Sequence, residues 1–212
     1  MKKRFKDGFL SEVASYYSER LAQYGQTPQG VDWNGEAGQT LRFDQLCKIV
    51  HRPGHFSIND LGCGYGAFHD YLSPAYPSFA YTGVDISEEM IRTASERYQA
   101  SASARFHLGS APDAVADYGI ASGIFNVRLG RSDAEWLAYI EVTLDVLHET
   151  SSAGFSFNCL TSYSDEHKKC DYLYYADPCL LFDLCKRRYS RDVALLHDYG
   201  LYEFTMLVRK SP

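Results

Sequence analysis

The stretch Ser57-Ile58-Asn59-Asp60-Leu61-Gly62-Cys63-Gly64-Tyr65-Gly66-Ala67-Phe68 restricts the fold of this chain more than any other. A short strand-like run passes directly into three glycines on alternate positions, and a helical pattern begins immediately afterwards. Glycine at that spacing lets the backbone turn sharply and keeps side chains out from between the loop and a ligand. The turn also presents helix N–H groups to anionic ligand groups. Nucleotide-type cofactors sit on such turns, and the glycines alone do not say which one. Gly62, Gly64 and Ala67 satisfy the dinucleotide pattern G-x-G-x-x-G/A, and Asp85 follows at the distance that pattern asks of its ribose-binding acid.

Around this turn the pattern of strand, turn and helix repeats. Strands are predicted at Ser57 to Leu61, Ala80 to Val84, Ala104 to Leu108, Gly119 to Phe125 and Gly154 to Leu160. Helices are predicted to begin near Ala67, Ser87, Ser132 and Pro178. Ser132-Asp133-Ala134-Glu135 has the form of a capping box, and Asp177-Pro178 places a capping carboxylate before a proline at the first helical position. Upstream, Leu10 to Tyr24 reads as a helix with Ser11 as its cap. Gly25 to Gly38 reads as loop, and Thr40 to Val50 as a second helix. Near the C-terminus, Arg191 to His197 and Leu201 to Arg209 are strand-like and joined by three residues only. That is too few for a crossover, so the pair must be antiparallel. The expected architecture is α/β, a Rossmann-like three-layer sandwich whose mainly parallel seven-stranded sheet ends in one reversed strand. One domain over 1–212 is expected, with 1–50 as an N-terminal helical cap and 57–212 as the α/β core.

Composition narrows the partners. A formal charge of -6 gives no electrostatic footprint for nucleic acid or for an anionic membrane leaflet, and no apolar run is long enough to cross a bilayer. The basic start Met1-Lys2-Lys3-Arg4-Phe5 is not followed by an apolar core, so a secretory signal is not expected. Six cysteines without a Cys-x-x-Cys pair suggest reduced thiols in a cytoplasmic protein. Asp165-Glu166-His167 lies on a polar loop, and no metal site is expected.

Two features separate the cofactors. Asp60, the last polar residue of its strand, would repel a pyrophosphate and attract an ammonium or sulfonium. The other is the reversed final strand. In both respects the chain resembles the class I S-adenosylmethionine-dependent methyltransferases. Asp60-Leu61-Gly62-Cys63-Gly64-Tyr65-Gly66 is similar to their first motif, Tyr81-Thr82-Gly83-Val84-Asp85-Ile86-Ser87 to their second, and Ala121-Ser122-Gly123-Ile124-Phe125-Asn126 to their fourth-strand motif. The resemblance implies that Gly62, Cys63, Gly64 and Gly66 line the methionine and ribose part of S-adenosyl-L-methionine, with Asp60 near its amino group. It implies that Asp85 accepts the ribose hydroxyls and that Ile86 and Met90 flank the adenine. Ser110 and Ala111 take the place where the family often has an acid at the adenine amine, and Ser122 and Asn126 stand at the mouth. Arg42 is a candidate partner for the cofactor carboxylate.

The activity this implies is in-line methyl transfer to oxygen or nitrogen of a small organic acceptor. Two segments are candidate caps. One runs through Trp33, Gln39, Arg42 and Phe43; the other is Thr161 to Ala176, with Tyr163, Tyr172, Tyr174 and Tyr175. His197, with Tyr199 beside it, is the candidate general base. An NAD(P)-dependent oxidoreductase on a related fold and a binding module without catalysis stand as alternatives.

Overall fold

The computed structural model describes residues 8, 10–51 and 54–210; the basic start at Met1 to Phe5 lies outside them. Seven strands form one sheet in the order β3-β2-β1-β4-β5-β7-β6. They are β1 (Phe56–Leu61), β2 (Phe79–Asp85), β3 (Ala104–Leu108), β4 (Ala116–Ala121), β5 (Ser151–Leu160), β6 (Asp192–Leu196) and β7 (Glu203–Arg209). The first five pair in parallel, and β7 runs antiparallel to both β5 and β6. The reversed strand therefore sits where the short connection required it. The helices are α1 (Ser11–Tyr24), α2 (Glu36–Cys47), α3 (Ala67–Ala75), α4 (Glu88–Arg97), α5 (Asp133–Glu149) and α6 (Pro178–Arg188).

Two-residue alternation along the strands builds two cores. Phe56 and Ile58 of β1 join Tyr118 and Ile120 of β4 beneath Phe43 and Leu46 of α2 and Phe68 and Leu72 of α3. Leu61, Val84 and Ala121 face the other way, onto a cluster holding Trp136, Ile140 and Leu144 of α5 and Leu181 of α6. The capping box at Ser132 and Glu135 forms as expected, and Asp177 accepts the N–H groups of Cys179 and Leu180. Ser11 does not cap α1; its hydroxyl donates to the Gly8 carbonyl, and the helix starts without a side-chain cap.

Several expected boundaries move, most of all those of β4 and α2. β4 begins at Ala116 and stops at Ala121. Its start is tied down by Asp117, whose carboxylate accepts both N–H and hydroxyl of Ser57. Beyond Ala121 the backbone turns at Gly123 (φ 77), so Phe125 is buried and Ile124 half-buried by packing rather than pairing. Helix α2 begins at Glu36, four residues before the predicted start, and packs on β5 and β7 as part of a sheet layer. Of the expected N-terminal cap, α1 and the short 3-10 turn Pro28–Val31 are the parts that stand over the sheet edge.

The connection from β3 to β4 leaves one part of the sheet uncovered. It must pass three strand spacings, about 14 Å, and return the length of a strand, roughly 17 Å. Seven residues, 109–115, separate the strands. Fully extended they reach about 23 Å, so no helix fits between them. The loop is strapped flat instead: Asn59 donates to the Ala114 carbonyl, and Arg105 pairs with Asp113. A groove is left alongside α5.

Truncation of the α6 cap measures how much such local bonds contribute. Asp177→Ala should lower stability by about 1 kcal/mol, read from the urea midpoint at unchanged slope.

Candidate functional site

β1 leads to β2 on one side of the sheet, and the chain then crosses back to place β4 on the other side of β1. Ligands in open α/β sheets bind in the crevice at such a reversal. A cavity of about 1830 Å³ opens there. That is larger than a single small-ligand site, which is usually below about 1000 Å³, because it continues into the groove beside α5.

Two carboxylates form its acidic floor. Asp60, next to last in β1, lies on the same face as Tyr81, its diagonal neighbour on β2, and the Tyr81 hydroxyl donates to Asp60 Oδ2 at 2.6 Å. Asp60 is 2% exposed, and burial pushes its carboxyl up to about 7; the Tyr81 bond opposes the rise and the nearby Asp85 adds to it. Asp85 ends β2 and accepts the N–H of Gly64 through one oxygen and that of Ser87 through the other, both at 2.9 Å. Burial raises its pKa as well, against those backbone bonds. Ser87, not Asp85, caps α4, through its hydroxyl to the Met90 N–H. The Ser18 hydroxyl meets that of Ser87 and fastens α1 over this corner.

The glycines divide their work. Gly64 (φ 54) faces the cavity, and a Cβ there would stand 3.0 Å from Val31 on the overlying turn. Gly66 does not line the cavity, which corrects its expected role: a Cβ would lie 2.5 Å from the Tyr98 ring, and the Tyr98 hydroxyl donates to the Gly66 carbonyl. The third glycine serves packing between α3 and α4.

Most other predicted binding residues converge. Gly62, Cys63, Ile86, Met90, Ser110, Ala111 and Ser122 line the cavity, together with Trp33, Gln39 and Phe43 from the N-terminal segment. The Ser122 hydroxyl is buried and has no protein partner. Tyr17, Val31, Gly123 and Ile124 also line it; Gly123 and Ile124 belong to the fourth-strand motif, whereas only position in space marks Tyr17 and Val31.

Others are elsewhere. Arg42 gives its fork to Glu203, Nε to Oε2 at 2.8 Å and a second nitrogen to Oε1 at 3.0 Å, so it is not available to a ligand carboxylate. Asn126 is a brace: its Oδ1 accepts the Leu160 N–H and its carbonyl accepts the Tyr174 N–H. His197 directly follows β6, four strand spacings from β1 or about 19 Å at ordinary spacing. Its ring sits 6.1 Å from those of Tyr163 and Phe204. Tyr199 shares a hydrogen bond with Thr205. Neither lines the cavity, so the expectation of a base at this pair is corrected. The Thr161 to Ala176 segment folds back on itself through a Thr161–Ala176 bridge and packs over residues 126–129. None of its tyrosines reaches the cavity.

Residues 58–150 match the family model described as a methyltransferase domain. A Mycobacterium tuberculosis protein named as a methyltransferase is 62% identical over 164 residues, 77% of this chain and 99% of that protein. Among solved structures, magnesium protoporphyrin IX methyltransferase of Synechocystis PCC 6803 with bound SAM superposes with a TM-score of 0.66 at 14% identity, covering 99% of this chain and 100% of its own. The N-methyltransferase NodS of Bradyrhizobium japonicum with S-adenosylhomocysteine gives 0.66 at 12% identity, covering 94% and 98%.

The raised Asp60 pKa carries a sign. A carboxyl that holds its proton to about 7 when folded, against 3.8 as its ordinary value, favours the fold fully below pH 4. That contribution is lost as pH rises to 7. Asp60→Asn should therefore gain stability relative to the parent between pH 4 and 7 and hold the gain above. Urea midpoints of both proteins at pH 5 and pH 8 measure this.

Proposed function

Because this chain belongs to the class I S-adenosylmethionine-dependent methyltransferases, we propose that it transfers the methyl group to oxygen or nitrogen of a small organic molecule held in the cavity over Gly62 and Gly64. The observation that carries the cofactor reading is the pair of buried carboxylates at the glycine turn. The two arginines among the described lining residues, Arg131 and Arg188, are engaged with Glu12 and with Glu141. A pyrophosphate laid on this turn would meet two acids without a neutralising cation, whereas an ammonium or sulfonium meets complementary charge. This disfavours the nicotinamide alternative.

Asp60 would lie by the amino group of the methionine moiety, with its carboxylate kept oriented by Tyr81. Each Asp85 oxygen accepts one backbone N–H and keeps a second lone pair for a ribose hydroxyl. Ile86 and Met90 would enclose the adenine, with Ser110 and Ala111 at its edge. Ser122 would stand nearest the acceptor with an uncommitted hydroxyl. When bound, the cofactor supplies a methyl group made electrophilic by its sulfonium. The chain's contribution is alignment and exclusion of water, which in well-oriented systems is worth up to roughly 7–11 kcal/mol. No histidine lines the cavity among the described residues. An acceptor that arrives as a carboxylate, a phenolate or a neutral amine needs no general base.

A small acceptor suits an opening roofed by α1 and Trp33, and a chain of net charge -6 does not favour a polyanion. Among the described residues no helix is long and apolar enough to cross a membrane.

Calorimetry with S-adenosylhomocysteine tests the site. Asp85→Ala should weaken binding at least about tenfold, since a hydrogen bond to a charged group contributes roughly 1.5–3 kcal/mol, while the far-UV circular dichroism is unchanged. NADH should not displace the ligand. Affinity within a factor of two of the parent would remove Asp85 from the ribose site, and displacement by NADH would return the dinucleotide reading.

A further inference from the structure

One closed ring of contacts joins two cavity-lining residues through three that do not line it. The Arg42 guanidinium carbon lies 4.0 Å over the Trp33 ring. Arg42 forks onto Glu203, which is 1% exposed. Glu203 Oε2 also accepts from Asn158 Nδ2 at 2.8 Å, and Asn158 Oδ1 accepts the Gly123 N–H at 2.8 Å. Gly123 returns to Trp33: a Cβ there would stand 2.4 Å from the indole edge. From its other side Trp33 is anchored through Asp32, which holds the Tyr16 hydroxyl and Arg20.

A largely buried ion pair is weak evidence of stabilisation, because desolvating two charges offsets most of their attraction. What this pair does provide is geometry. A bidentate fork fixes the guanidinium plane, and the plane fixes the ring stacked on it. Resting on the methyl-transfer reading, we infer that Trp33 is a wall of the acceptor subsite and that Glu203 is a positioning residue, setting the pose of that wall through Arg42. The same carboxylate holds the backbone of Gly123 through Asn158, so both sides of the gap between Trp33 and the end of β4 take their position from one group. Neither Arg42 nor Glu203 needs to touch a ligand.

The chain contains two tryptophans, so incorporation of 5-fluorotryptophan gives two fluorine resonances, and Trp33→Phe identifies the first. S-adenosylhomocysteine should shift the Trp33 signal and leave that of Trp136, which is buried against Phe125, in place. In the free protein, Glu203→Gln and Arg42→Met should each move the Trp33 signal while sparing Trp136, with Arg42→Lys intermediate because it keeps the charge and loses the fork. If a single variant fails to fold, the double variant Arg42→Met/Glu203→Gln leaves no unpaired buried charge and should show the same displacement. A Trp33 signal unchanged in the folded variants, or unmoved while calorimetry shows the ligand bound, overturns the inference. Absence of ligand binding in the parent protein overturns the cofactor reading instead, and the comparison of free proteins still decides the ring.

Discussion

Two carboxylates held out of water at the ends of neighbouring strands are the constraint to which the rest of this structure answers. Ionised carboxylates in an apolar interior are costly unless hydrogen bonds or an opposite charge offset the loss of solvent. Asp85 has two backbone N–H donors, and Asp60 has one phenol. Tyr81 therefore lies where a strand of this length and register can place a hydroxyl on Asp60, and the turn around Gly64 is shaped so that its N–H meets Asp85. What remains unbalanced is negative, and it faces the cavity. A positively charged ligand group completes the balance that the protein leaves open.

The same economy of chain explains the shape of the site. Because residues 109–115 must cross two strands and return the length of another, they run extended, and no helix covers that part of the sheet. The cavity consequently extends beyond the nucleoside-sized space at the glycine turn into a groove along α5. The opposite wall is supplied from the other end of the chain, where α1, the 28–31 turn and Trp33 fold over the strand ends. The site is thus assembled from an exposed corner of the sheet and a separately anchored roof.

The glycine turn, Asp60, Asp85, the caps of α5 and α6 and the reversed last strand could all be read from residues close in sequence. Each is decided by local chemistry: backbone freedom at glycine, a carboxylate or hydroxyl three residues from an N–H, or a connection too short to cross a sheet. The errors share a different origin. Arg42 was free in the sequence because Glu203, its partner, lies 161 residues away. Gly66 looked like its two neighbours until Tyr98 occupied the space beside it. His197 and Tyr199 follow β6, and strand order sets that strand four spacings from β1 at the cavity.

The chain's local pattern by itself determined that a parallel sheet would carry a ligand turn with acids beside it, since strand periodicity, glycine conformation and helix capping act over a few residues. Only the tertiary structure decided which distant groups neutralise one another and which tyrosines face the cavity. Burial drives most polar side chains to find a partner, and that choice is made among neighbours in space, whatever their separation along the chain.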